Sequence, residues 1–299
     1  VSITMKEPLQ VPLYEEFTIP VVFHVVVSEE EVLTYGNLSA ARIAETMERL
    51  NNIFSGKATR NAAGVNTGIQ FVLAQYNPAG ELMDEPGINR VTVEEVTEGT
   101  PPDKYHRFLS QNNAIWPHEK YLNIWLMSET KYPKFWNSIT KLCVPKYRLG
   151  SETLPGLSLP PVPSTWVPKV EQIGILFRMS TFQYFQRSID ATAERELVTC
   201  IGNYLGLLDT WKINNSNVND QCNDTFAYGI VNNNGSLGTN SSWSKEVGSY
   251  RFLSENIMDD PTGTHRSVSK DQALRMYWVL KNCAGRSMWQ SDFALTGKE

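Results

Sequence analysis

The segment from Glu194 to Trp211 (Glu-Arg-Glu-Leu-Val-Thr-Cys-Ile-Gly-Asn-Tyr-Leu-Gly-Leu-Leu-Asp-Thr-Trp) constrains the fold more than any other part of the chain. Leu197, Ile201, Tyr204, Leu205 and Leu208 recur at three and four residues, so a helix here carries one apolar stripe and has to bury it. Gly206 stands where that helix would stop, because glycine enters the left-handed backbone region that ends helices. The chain then turns through Leu207 and Leu208 to Asp209. A buried helix with an abrupt glycine exit is the expected centre of the fold.

Other elements arrange themselves around it. Residues 1–16 are polar, with two prolines, and read as an extended lead-in. Phe17 to Val27 is rich in β-branched residues and reads as a buried strand; His24 inside it is expected to be a satisfied core residue rather than a ligand. Asn37 to Ser39 offers a cap for a helix over 39–54 that buries Ile43, Met47, Leu50 and Phe54 and ends at Gly56. Further strands are expected over Gly68–Tyr76, near Ile88–Val93, over Tyr121–Met127 and over Gln172–Met179. Pro101-Pro102 opens a short helix. Ser267 or Ser269 caps a last helix over about 269–281. Between Ser128 and Val170 regular pattern is lost among seven prolines. So long an irregular run is either a packed surface excursion or a partner-binding loop.

Composition narrows the function. The chain of 299 residues is 41% hydrophobic and 20% charged, enough apolar material for a sizeable core. Its net charge is −5 and it has no basic run, which argues against nucleic acid as partner. No run of about 18 apolar residues exists that would span a membrane. Eight Trp and twelve Tyr serve either a core or a surface that binds sugars or peptides. The four cysteines, Cys143, Cys200, Cys222 and Cys283, lack the spacing of a metal site.

The central segment resembles the zinc helix of the metzincin peptidases, most closely the pappalysin-like branch and related bacterial metallopeptidase lipoproteins. The family motif is His-Glu-x-x-His-x-x-Gly-x-x-His, in which three His hold zinc and the Glu activates water. Gly206 matches the glycine, and Leu197, Val198, Gly202, Leu205, Leu207, Leu208, Thr210 and Trp211 also look like the family. The first His position is Thr199, the Glu position Cys200, the second His position Asn203 and the third Asp209. Glu255-Asn256-Ile257-Met258-Asp259-Asp260 resembles the Met-turn, with Met258 as the hydrophobic floor beneath the metal. Ile-Pro-Val-Val-Phe-His-Val-Val, Leu50-Asn51-Asn52-Ile53-Phe54, the Leu-Asn-Ile strand, Asp220 to Thr225, and Gln272 with Arg275-Met276 also look like the family, so the resemblance covers most of 17–283.

This resemblance implies an α+β, zincin-like fold: a twisted mixed five-stranded sheet backed by two long helices, then a loop-rich lower part with the Met-turn and a C-terminal helix. It implies one domain over 17–299, divided into an upper part (17–206) and a lower part (207–299). The Tyr121–Met127 strand would lie at the sheet edge beside the cleft. Disulfides often tie the lower part in the family; Cys222 and Cys283 flank it here and could pair, although the usual number of cysteines is absent. The resemblance also implies export to a bacterial surface or periplasm, with a lipid anchor upstream of residue 1. The start at Val1 reads as a mature or trimmed chain.

The chemistry of the motif is gone. Zinc prefers imidazole or thiolate, and Thr199, Asn203 and Asp209 offer one carboxylate and two weak neutral oxygens, so zinc is expected to be absent. Without metal or Glu, nothing lowers the pKa of water or takes its proton. One carboxylate is also thin for calcium, and Cys200 has no His near it in sequence to make it a nucleophile. The leading expectation is an inactive peptidase homologue that binds a peptide or protein in its cleft. An active zinc peptidase with ligands from elsewhere, His265 among them, is the alternative. A glycan-associated surface lipoprotein is a third reading.

Overall fold

The computed structural model describes residues 15–29, 32, 38–60, 63–93, 113–127, 142–143, 173–179, 192–213, 218–230, 244–247, 250–260, 263–282 and 285–298. The polar lead-in up to residue 14, the Pro101-Pro102 helix, most of the Pro-rich run over 128–170, Asn37 and Cys283 lie outside these residues.

Strand β1, Phe17–Ser28, is buried along almost its whole length. Its odd residues Phe17, Ile19, Val21, Phe23, Val25 and Val27 enter the main core, while Val22 and Val26 pack in smaller clusters on the opposite face. A strand covered on both faces needs no polar alternation, so this sequence reads as a continuous apolar run. Helix α1, Ala40–Phe54, is capped by Ser39, whose Oγ accepts from the Arg42 N–H at 3.2 Å. It buries Ile43, Met47, Leu50, Ile53 and Phe54.

One sheet holds six of the strands. Strands β2 (Ile69–Leu73), β3 (Ile88–Val93) and β4 (Leu122–Met127) pair parallel with β1, β6 (Ile175–Arg178) pairs parallel with β4, and β5 (Leu142–Cys143) pairs antiparallel with β6. The order is β2-β1-β4-β6-β5, and β3 also pairs with β1. Long β1 is flanked on one edge first by β2, beside Phe17–Val21, and then by β3, beside Phe23–Ser28. Gly87 makes this succession feasible. It sits at φ +67, and a Cβ there would come within 2.6 Å of Leu73 Cδ2 and 3.1 Å of Val21 O.

Two expectations need correction. The sheet has six strands rather than five, because β2 and β3 share one edge of β1. Strand β4 lies in the interior between β1 and β6, not at the sheet edge; the edge beyond β6 is β5. The physical sign was in the residues: all six of Leu122–Met127 are buried, whereas an edge strand with a solvated face alternates.

On the face away from the main core, His24 is fully buried between Trp116 and Trp125. Its Nε2 lies 2.8 Å from Asn123 Oδ1, and its Nδ1 is 2.9 Å from Asn89 Nδ2. Asn123 also pairs with the Trp116 backbone, accepting from its N–H and donating to its C=O. That orients the Asn123 amide, so His24 is neutral with its proton on Nε2. Burial lowers its pKa from 6.5 to about 4.

After the sheet come helix α2 (Thr192–Tyr204), the parallel pair β7 (Trp211–Ile213) and β8 (Tyr228–Ile230), and the antiparallel pair β9 (Ser244–Val247) and β10 (Tyr250–Leu253). Helix α3 (Lys270–Asn282), a 3₁₀ turn at Met288–Gln290 and the short α4 (Phe293–Thr296) close the described chain. The main hydrophobic cluster joins β1, α1 and α2 to Ile257, Met258, Val268, α3 and Met288.

Candidate functional site: a closed helix–turn junction

Helix α2 ends in a double-bonded glycine turn. Gly206 lies at φ +90; its N–H donates to Asn203 O at 3.0 Å, and the Leu207 N–H donates to Gly202 O at 2.9 Å. This is the Schellman arrangement, which a left-handed residue at the helix exit permits. Two fully buried guanidiniums meet the carbonyls of this terminus. Arg275 from α3 donates through Nε to Gly206 O. Arg286 donates through Nε to Tyr204 O at 2.7 Å and stacks on the Tyr204 ring at 3.5 Å. Cations at a helix C-terminus complement its dipole, and these bonds satisfy carbonyls that the helix leaves bare.

The turn bearing Met258 packs directly under α2. A Cβ at Gly202 would come within 2.5 Å of Met258 Sδ, so the glycine lets the methionine side chain lie against the helix in this position. The turn is also bolted to α3. Ser269 and Gln272 form a reciprocal cap: the Gln272 N–H donates to Ser269 Oγ, and the Ser269 N–H donates to Gln272 Oε1 at 3.0 Å. The Gln272 and Asn256 amides then donate to each other at 2.8 and 2.9 Å, and Asn256 Oδ1 also accepts the Met258 N–H. On its other side, Thr210 donates from its backbone N–H and its hydroxyl to Met258 O at 3.0 and 3.1 Å.

The side chains at the motif positions are turned onto the protein. Thr199 Oγ1 donates to Ile257 O at 2.8 Å and lies 3.0 Å from His265 Nδ1. Asn203 donates through Nδ2 to Leu207 O at 3.0 Å, with Asp209 Oδ1 at 3.4 Å. Cys200 is a buried thiol. His265, held at φ +52, donates through Nε2 to Asp260 O at 2.9 Å, because a carbonyl can only accept. Both of its ring nitrogens therefore face protein groups. Thr199, Asn203, Asp209 and His265 converge on the helix–turn junction.

This donor set does not fit zinc. The hydroxyl at the first position bonds a backbone carbonyl, and the amide at the second presents its N–H side to another. The one carboxylate has no imidazole with an open nitrogen beside it. Among the described residues, no group of three or more His, Cys, Asp or Glu side chains could hold a metal ion.

Cys222 is a free, buried thiol whose pKa is raised by that burial. Cys283, the partner expected for it, lies outside the described residues. Sequence reasoning missed Tyr228, whose Oη joins Asp259 and Asp260, and it missed Arg286. The pair of Asp residues after Met258 was the only local signal for the first. Beside the turn lies a pocket of about 180 Å³ lined by Thr210, Asp224, Thr225, Phe226, Glu255 and Asn256, among others, with Phe226 54% exposed. No helix among the described residues is long and apolar enough to cross a membrane.

No protein-family profile and no curated protein matches the chain at the level of sequence. Solved structures do. Mature mirolysin of Tannerella forsythia, in complex with a cleaved peptide, is 19% identical with a TM-score of 0.61, over 94% of this chain and 98% of that one. Mirolysin in complex with a compound gives 19% and 0.61, over 95% and 99%. A mutant Tannerella forsythia promirolysin gives 20% and 0.62, over 93% and 85%. With its largely parallel sheet and central helix, the chain has a zincin-like fold, the fold it shares with mirolysin.

Proposed function

We propose that this chain is a peptidase-like binding protein: a metzincin-type fold without zinc or hydrolysis, whose cleft holds a peptide or protein segment. One observation carries the reading. Thr199, Asn203 and His265 each direct their polar atoms at protein partners 2.8–3.0 Å away. A metal would have to break these bonds and would gain weak neutral ligands in exchange. Cys200, at the position where a carboxylate base would stand, is buried and apolar in its surroundings. The binding half of the proposal is supported by the likeness to mirolysin, which has been seen with a cleaved peptide, and by the open pocket beside the turn. From the family resemblance we also infer export to a bacterial surface or periplasm and a lipid anchor upstream of residue 1.

The test is metal analysis of protein purified without added zinc, together with peptide binding and cleavage on one library. The expected result is less than one tenth of an equivalent of zinc (about a tenfold deficit against a three-His site) and peptides bound intact. Stoichiometric zinc, lost together with cleavage on chelation, would instead establish the alternative of an active peptidase that draws on His265. Binding to a glycan array and to no peptide would favour the surface-lipoprotein reading.

A further inference from the structure

The pocket beside the methionine turn has two carboxylates in its walls, Asp224 and Glu255, and no basic side chain. Ser267 also lines it, held against the turn by two backbone bonds: its N–H donates to Glu255 O at 2.8 Å, and its carbonyl accepts the Ile257 N–H at 3.0 Å. Glu255 is anchored through Oε2, which accepts from the Thr59 hydroxyl at 2.6 Å; its Oε1 has no hydrogen-bond partner among the described residues. Ser267 is 5% exposed, and its hydroxyl has no hydrogen-bond partner among them either. Phe226, on the same lining, is 54% exposed.

A hydroxyl this deeply buried ordinarily has a partner in the protein. Here it shares a cavity with a carboxylate oxygen that also has none, so the pocket offers acceptors and negative charge to whatever enters it. A donor that is itself a cation meets both needs. Among the described residues neither carboxylate forms an ion pair, so no side chain of the protein already supplies that charge. A metal ion is a poor match, because no group of three or more His, Cys, Asp or Glu side chains is gathered here. The state of the two carboxylates separates the organic cations. A guanidinium binds best as a planar fork on both oxygens of one carboxylate. Asp224 spends both of its oxygens on the start of α3, accepting from Ser269 Oγ at 2.6 Å and from the Asp271 N–H at 2.9 Å. Glu255 has one oxygen engaged. A primary ammonium is a compact charge with three donors and needs no such fork. An exposed phenyl ring beside it suits an alkyl stem and the cation it carries.

We propose that this pocket is a binding site for a primary alkylammonium group, which donates to Glu255 Oε1 and the Ser267 hydroxyl while its alkyl stem lies along Phe226. Asp224 adds to the negative potential without being the direct contact. Thr199, Asn203, Asp209 and His265 do not line the pocket, so the site is separate from the motif positions at the end of α2. The group is carried either by a lysine side chain or by a free amine. The proposal stands or falls on the pocket itself, not on whether the cleft binds a peptide.

The test is NMR titration of the full chain with n-butylammonium, n-butanol and n-butylguanidinium at one ionic strength. Saturable shifts at Glu255, Ser267 and Phe226 are expected with the ammonium, at an affinity about tenfold above that of the alcohol. Binding should weaken as salt is added. Glu255→Gln keeps an acceptor for Thr59 and removes only the charge; it is expected to weaken ammonium binding about tenfold. Because the first comparison uses unaltered protein, it requires no variant to fold. Nα-acetyl-lysine methylamide, with its norleucine analogue as control, separates the two sources. Binding as tight as that of n-butylammonium points to a lysine of a polypeptide, and binding of n-butylammonium alone points to a free amine. The proposal is overturned if the ammonium gives no saturable shifts at these residues or binds no better than the alcohol. It is equally overturned if the guanidinium binds more tightly, if folded Glu255→Gln binds the ammonium as wild type does, or if calcium takes the site in its place.

Discussion

Acid should destabilise this protein through His24, whose burial disfavours the charged ring. The imidazole is fully buried between two indoles, and its two nitrogens are already committed, one as donor to Asn123 and one as acceptor from Asn89. A second proton would have to sit on Nδ1, facing a donor, in a place without water. The folded pKa is lowered from 6.5 to about 4. Above pH 6.5 both states are neutral and the full stability is present. Below it the unfolded chain takes up a proton that the native chain refuses, so stability falls until the folded group also titrates near pH 4. At about 1.4 kcal/mol per unit, the loss across this window is about 3 kcal/mol, a large part of an ordinary folding free energy. The assay is urea unfolding at pH 7, 6, 5 and 4 for wild type and His24→Gln. Glutamine keeps one donor and one acceptor but does not titrate. The variant is expected to start lower, having lost the ring contacts, and to decline about 3 kcal/mol less by pH 4. Parallel curves for the two proteins would refute the reasoning, because the loss would then lie in other groups.

Three further outcomes follow from the helix–turn junction. Gly202→Ala drives a methyl into Met258 Sδ, 2.5 Å away, and is expected to cost about 1–3 kcal/mol by denaturant unfolding, although alanine favours helices. Arg286→Leu strips the buried Tyr204 carbonyl of its donor and the ring of its cation; a loss of about 2–4 kcal/mol is expected by the same measurement. Gln272→Ala breaks the α3 cap and both amide bonds to Asn256, costing about 1–2 kcal/mol and raising hydrogen exchange at Asn256 and Met258.

Much of this architecture was legible in the residues. Local signals dominate where an element's own side chains decide it. The apolar stripe and Gly206 marked α2 and its exit, Ser39 marked the start of α1, and the buried strands announced themselves as runs of Val, Ile, Leu and Phe. That Thr199, Cys200, Asn203 and Asp209 do not spell a three-imidazole zinc motif with a Glu base could be read without coordinates, since it follows from residue identity alone.

Neighbour relations were another matter. That β4 is interior, and that β2 and β3 succeed each other along β1, depends on which strands meet, and strand sequence specifies only which faces are buried. The short strands β7 to β10 lie in a stretch rich in Asn, Ser and Gly, where intrinsic propensity points to loops. The sequence by itself determined the elements and the identity of the side chains on the central helix, because periodicity and ligand chemistry are local. Only the tertiary structure decided that His265 lies against Thr199, that Arg275 and Arg286 serve the end of α2, and that Tyr228 stands between two acids. Such pairings join groups 31 to 82 residues apart, and no short-range pattern encodes which distant partner will satisfy a buried polar group.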